Sequence, residues 1–143
     1  MEPFDVNSET ALAWVAGFFD GEGSVNVARY EQTGSITGHI MITQKVPEPL
    51  EFMRTVLQVR SVAVRNVRYR ESQDTYELAF SGPQGATVLQ MLLPYLRHPK
   101  QIRRAELYLK VFPPGSKGMR MREQRTRSYN EWSKLKNTEL QTM

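Results

Sequence analysis

Ala13-Trp14-Val15-Ala16-Gly17-Phe18-Phe19-Asp20-Gly21-Glu22-Gly23-Ser24 is the stretch that orders the rest of this chain. An apolar helical segment rich in small residues runs directly into two carboxylates, each followed by a glycine. Unpaired carbonyls give the last turn of a helix partial negative charge, so Lys or Arg is favoured there. Asp20 and Glu22 reverse that preference. Like charges crowded at such an end are costly unless a capping donor or a cation offsets them. A hard divalent ion with oxygen ligands, Mg²⁺ for instance, would do so. A polar turn between a buried helix and a strand is the plain alternative, because Asp and Gly are common turn formers. The small residues add a second signal: Ala13, Gly17 and Gly21 recur at i, i+4 and i+8. A helix face with almost no side chain lets another backbone approach closely. Glycine inside a helix costs about 1 kcal/mol relative to alanine, so Gly17 implies a packing requirement.

The nine residues Val15 to Gly23 resemble the LAGLIDADG signature of homing endonucleases. Ala16, Gly17, Asp20 and Gly23 match letter for letter. Phe18 and Phe19 replace the aliphatic pair, Gly21 the second alanine, and Glu22 the final aspartate. Either carboxylate can ligate a metal, but the glutamate reaches one methylene further.

The 143 residues are expected to form one domain, 1–143, with a basic C-terminal segment at about 115–143. Hydrophobic content of 40% and charged content of 24% are ordinary for a soluble globular protein. With no cysteine, disulfides and Cys-based zinc sites are excluded. Met1 is followed by acidic Glu2 and Asp5 and not by a signal-like n-region, which predicts a soluble, intracellular protein with no membrane partner. Charge is unevenly placed. Residues 1–96 carry seven Lys/Arg against eleven Asp/Glu, a net of −4, and residues 97–143 carry twelve against four, a net of +8. A basic segment of this density suits a polyanion, most simply nucleic acid, although a solubilising tail has the same composition.

Ser8 can cap a first helix reaching about Gly21. Alternation predicts a strand at about 24–31, a turn at Gln32-Thr33-Gly34-Ser35, and a returning strand from Ile36 to Thr43. Pro47 and Pro49 open a helix near 47–58 with Leu50, Met53, Val56 and Leu57 as its stripe. A second hairpin follows: Ser61 to Tyr69, a turn around Glu71-Ser72-Gln73-Asp74, then Thr75 to Phe80 with Tyr76, Leu78 and Phe80 inward. Val67 and Tyr69 then face one side and Asn66, Arg68 and Arg70 the other. Val62 and Val64 share the parity of the arginines, which asks for a bulge near Arg65 or a two-sided strand. Pro83 starts a helix to about Pro94. Pro99 starts another, with Ile102, Leu107, Leu109 and Val111 apolar, and a basic helix spans about 119–136 after Pro113-Pro114-Gly115. The order αββαββα plus C-terminal helices describes an α+β domain with an antiparallel sheet covered by helices on one face. It resembles the LAGLIDADG domain over essentially the whole length.

That resemblance implies a DNA endonuclease that uses Mg²⁺, with Mn²⁺ or Ca²⁺ as substitutes, and no organic cofactor. One motif per chain implies a homodimer with an isologous contact between first helices, through Ala13, Ala16, Gly17, Asp20 and Gly21. In the family the final acidic residue of the motif binds metal, here Glu22 with Gly21 beside it. Asp20 would cap or brace the helix junction. Gln44, in Ile42-Thr43-Gln44-Lys45, looks like the residue that orients water near the metals. Lys100, in Leu96-Arg97-His98-Pro99-Lys100-Gln101, looks like the lysine near the scissile phosphate, Arg97 being the other choice because the match needs an insertion. His98 reads as a surface residue. Base-reading candidates on the sheet are Ser24, Asn26, Ala28, Tyr30, Thr37, His39 and Met41, then Arg65, Arg68, Arg70 and Glu77. Lys117, Arg120 and Arg122, with Arg125 and Arg127, would touch phosphates. The family precedent is a pair of cuts across the minor groove of a long pseudo-palindromic duplex, leaving short 3′ overhangs. A non-cleaving DNA-binding regulator and an intron RNA maturase are the alternatives on the same fold.

Overall fold

Ser8 sets the first boundary: its hydroxyl oxygen accepts the Ala11 N–H at 3.1 Å, and helix α1 runs Glu9–Glu22. The computed structural model describes residues 5, 8–59, 62–70, 73–113 and 122–141. Strand β1, Gly23–Arg29, follows α1 without a linker and pairs antiparallel with β2, Ile36–Gln44. Helix α2 is Glu48–Leu57, and its buried residues are Leu50, Met53, Val56 and Leu57, as the apolar spacing requires. Strands β3, Arg65–Arg70, and β4, Gln73–Ser81, complete an antiparallel sheet in the order β1-β2-β4-β3. Helix α3, Gly82–Leu92, runs into a 3₁₀ turn at Leu93–Tyr95, followed by α4, Pro99–Val111, and α5, Arg122–Gln141. This is the expected αββαββα order followed by C-terminal helices, α4 and α5.

Period-two alternation gives the sheet one buried face. Val25, Val27, Ile40, Ile42, Leu78 and Phe80 are covered by the helices, together with Val15, Phe19, Leu50, Leu89 and Tyr108. Helix α4 comes so close to β2 that only glycine fits at position 38: a Cβ there would stand 2.6 Å from the rings of Tyr108 and Phe112. Tyr108 completes this contact by donating its hydroxyl proton to the Gly82 carbonyl at 2.8 Å. Burial pushes the Tyr108 phenol well above its ordinary pKa.

Several boundaries differ from expectation. Strand β1 ends at Arg29, because Tyr30 closes the turn: its N–H donates to Ser35 and its carbonyl accepts from Gly34, which has φ +70°. Strand β2 extends one residue further, to Gln44, where it still pairs with β4. Strand β3 starts at Arg65, with Val62 and Val64 before it, half-buried against the core. Their parity therefore places no demand on the strand. Its irregularity falls between Arg68 and Arg70 and not near Arg65. Gln73 and Asp74 belong to β4 rather than to the turn, and Glu71 and Ser72 lie outside the described residues. Helix α5 continues to Gln141, beyond the expected end at about 136. No helix among the described residues is long and apolar enough to cross a membrane.

Candidate functional site

The end of α1 meets the start of α4, and the two carboxylates part company there. Asp20 accepts the backbone N–H groups of Arg97 at 2.8 Å and His98 at 3.2 Å through its two oxygens. These groups lead into α4, where negative charge is favourable. The His98 imidazole Nδ1 accepts the Lys100 N–H at 3.2 Å and caps α4. Asp20 thus braces a helix junction, and His98 caps α4. Glu22, one turn-fragment later, is the last residue of α1 and is exposed.

Gln101 holds this junction and went unassigned in the sequence. Its side-chain amide Nε2 donates to the carbonyls of Phe19 at 3.2 Å and Gly23 at 2.7 Å, straddling Glu22. The residue is buried, and its Oε1 accepts no hydrogen bond among the described residues. A signal was present: Gln101 lies on the buried stripe of α4 with Ala105, Tyr108 and Val111, whereas Ile102, Leu107 and Leu109 are only half-buried. A glutamine on a buried stripe needs partners. Gly23 is required by close approach, since a Cβ there would stand 2.5 Å from the Phe19 ring.

Gln44 and Lys100 come to the same end of the fold. Gln44 closes β2 opposite Tyr76, half-buried, two residues beyond the Gly23–Ile42 pair. Lys100 sits in the first turn of α4 beside Gln101, with its ammonium 4.0 Å from Glu139 on α5. Glu139 also binds Arg104, at 2.5 and 3.4 Å. Among the described residues no group of three or more His, Asp or Glu side chains could hold a metal ion. Glu22 is an exposed carboxylate at this end of α1.

The small-residue face of α1 is open. Ala13, Gly17 and Gly21 are exposed, and a Cβ built on either glycine meets nothing within 4 Å. Ala16 is a correction to the expected contact set: it is fully buried in the chain's own core, since its position on the helix turns toward Val15 and Phe19 rather than outward. Beside the open face Trp14 stacks on Phe18 with centroids 5.4 Å apart and meets the edge of Phe52 at 5.0 Å.

The uncovered face of the sheet carries Ser24, Asn26 and Ala28 from β1, Thr37, His39 and Met41 from β2, and Glu77 from β4, as alternation predicted. A groove of about 460 Å³ opens there, walled by Ser24, Asn26, His39, Met41, Glu77 and Lys136. Exposed Arg65 pairs in register with Glu77. Tyr30 is exposed in the turn beyond β1 rather than on the strand. Arg68 pairs with Asp74 and Arg70 with Gln73, on either side of the register shift. Arg122 begins α5, and Lys117 and Arg120 lie outside the described residues. Arg125 packs its guanidinium 5.1 Å from the Phe112 ring centroid. Arg127 is exposed.

No protein-family model and no curated protein sequence matches the chain. Solved structures do. The chain is similar to the homing endonuclease I-CvuI in complex with an I-CreI target in the presence of Mg, the DNA not cleaved, with 23% identity and a TM-score of 0.58 over 73% of this chain and 66% of that one. It is similar to the group I intron-encoded homing endonuclease I-CeuI complexed with DNA, with 18% identity and a TM-score of 0.63 over 78% of this chain and 57% of that one. It is also similar to the archaeal intron-encoded homing endonuclease I-Vdi141I complexed with DNA, at 15% identity and a TM-score of 0.62 over 89% of this chain and 84% of that one. The chain thus spans slightly under two thirds of I-CvuI and little more than half of I-CeuI.

Proposed function

We propose, from the premise that this chain has the fold of the LAGLIDADG homing endonucleases, that it is a site-specific DNA endonuclease working as a homodimer. The observation that carries this reading is local to α1. An exposed carboxylate, Glu22, ends a helix on which a Cβ at Gly17 or Gly21 would meet nothing within 4 Å among the described residues. Two copies related by a twofold axis through that face bring two Glu22 carboxylates together, with the two sheets forming one continuous duplex-binding surface.

Glu22, with the Gly21 backbone beside it, fits half of a hard-cation site. Its carboxylate is exposed, Asp20 is committed to α4, and the last turn of α1 contains no basic residue. Mg²⁺, or Mn²⁺ or Ca²⁺ in its place, would neutralise the phosphoryl group and acidify a water there. The protein's own work is positioning. Gln101 and Asp20 fix the junction that carries Glu22, while Gln44 stands at the strand end to orient solvent. Asn26, His39, Arg65 and Glu77 offer donors and acceptors to base edges in a major groove. Lys100 supplies positive charge at the same end of the fold, from its place beside Glu139.

The reading is tested by incubating the protein and Mg²⁺ with a high-complexity duplex library and capturing new ends. Double-strand cuts with short 3′ overhangs at one long, pseudo-palindromic site are expected. Duplex binding without new ends would instead make this a non-cleaving regulator. Preference for folded RNA over duplex would make it a maturase.

A further inference from the structure

We infer that the C-terminal helix α5 is part of the nucleic-acid surface and that Lys136 contacts the backbone of a duplex seated in the sheet groove. This rests on the endonuclease reading and adds a residue to the phosphate candidates Lys117, Arg120, Arg122, Arg125 and Arg127. Helix α5 packs along α4 and reaches β1 and β2. Trp132, almost wholly buried in the core, anchors it. One turn later, Lys136 is half-buried, with its ammonium 6.0 Å from the Trp132 ring centroid. Lys136 lines the groove together with residues that include Ser24, Asn26, His39, Met41 and Glu77.

The location matters because Ser24 is two residues beyond Glu22. Lys136 therefore brings a cation to the open face of the sheet near the candidate cleavage centre. Lys100, by contrast, has its ammonium beside Glu139 on the same helix, 4.0 Å away. Both lysine charges act on Glu139, but Lys136 is the one that lines the groove. A lysine is a compact, hydrated point charge suited to a phosphate oxygen, and its flexible stem tolerates variation in sequence and backbone path.

Neutralising one phosphate steepens the dependence of log affinity on log salt by about 0.9. Binding of a mixed-sequence duplex, followed by fluorescence anisotropy through a salt titration in Ca²⁺, should show that slope reduced by about two in Lys136→Met, one phosphate for each copy of the dimer. The substitution keeps an aliphatic stem on Trp132. Lys136→Arg should restore the slope, and Lys110→Gln, which removes only the 3.2 Å pair with Glu131, should leave it at the wild-type value. A second measurement needs no variant: duplex should protect Lys136 of the wild-type protein from amine acetylation while Lys110 stays reactive. An unchanged slope in folded Lys136→Met, or equal labelling of Lys136 with and without duplex, overturns the inference alone. Failure of the wild type to bind duplex overturns the endonuclease reading with it.

Discussion

Asp20 accepts the Arg97 backbone N–H at 2.8 Å, across 77 residues of sequence. With the His98 N–H at 3.2 Å, this bond makes a motif carboxylate the tie between α1 and α4. Losing such a cap costs about 1–2 kcal/mol. Asp20→Ala should lower the unfolding free energy by that amount, read as a lower urea midpoint with the slope of the transition unchanged. An unchanged midpoint would show that the bond contributes nothing to stability.

Gln101 should matter more than its chemistry suggests. Removing its amide leaves the Phe19 carbonyl one donor short and deprives the Gly23 carbonyl of its 2.7 Å bond. Unsatisfied buried groups cost about 1–3 kcal/mol. Chemical denaturation of Gln101→Ala should show a loss in this range, and the folded fraction should cleave more slowly because the Glu22 junction is loosened. Wild-type stability and rate together would exclude a positioning role.

The open face of α1 separates folding from assembly. Within one chain, Gly17 has nothing near its missing Cβ. Gly17→Arg should therefore leave the melting transition intact, since glycine in a helix is already about 1 kcal/mol worse than a good helix former. It should still convert a sedimenting dimer to a monomer and abolish double-strand cutting. A variant that remains dimeric would move the interface elsewhere.

The α4–α5 clasp should respond to acid. Burial pushes the Glu139 carboxyl upward, but the Arg104 hydrogen bond and the charges of Arg104, Lys100 and Lys136 outweigh it and hold the group below its ordinary range. A carboxyl lowered by folding stabilises the protein fully above its unfolded pKa, about 4.3, and loses that contribution as pH falls through the folded value. The stability advantage of wild type over Glu139→Gln should be constant from neutral pH down to about pH 5, then shrink. An advantage that grew on acidification would contradict this sign.

Local rules carried much of this structure. Ser8 as a cap, the Leu50/Met53/Val56/Leu57 stripe and the alternation of Val25 with Asn26 and of Ile40 with His39 are visible in sequence because each depends on neighbours a few residues away. What escaped depends on distant partners. Nothing near Gln101 in sequence reveals Phe19 or Gly23. Ala16 belongs to the motif yet faces inward, because helix rotation relative to the core is set by packing. The register shift between Arg68 and Arg70 is one irregularity that residue type does not announce. Lys136 reaches the groove only because Trp132 seats α5 beside β1.

Glu22 carries the central claim. Its test is the rate at which Glu22→Gln cuts the captured duplex in Mg²⁺, measured beside its affinity for the same duplex in Ca²⁺. Removing a group that acts on the transition state should lower the rate by about 10²-fold or more while affinity stays near wild type. Cutting at the wild-type rate would place the chemistry on other residues.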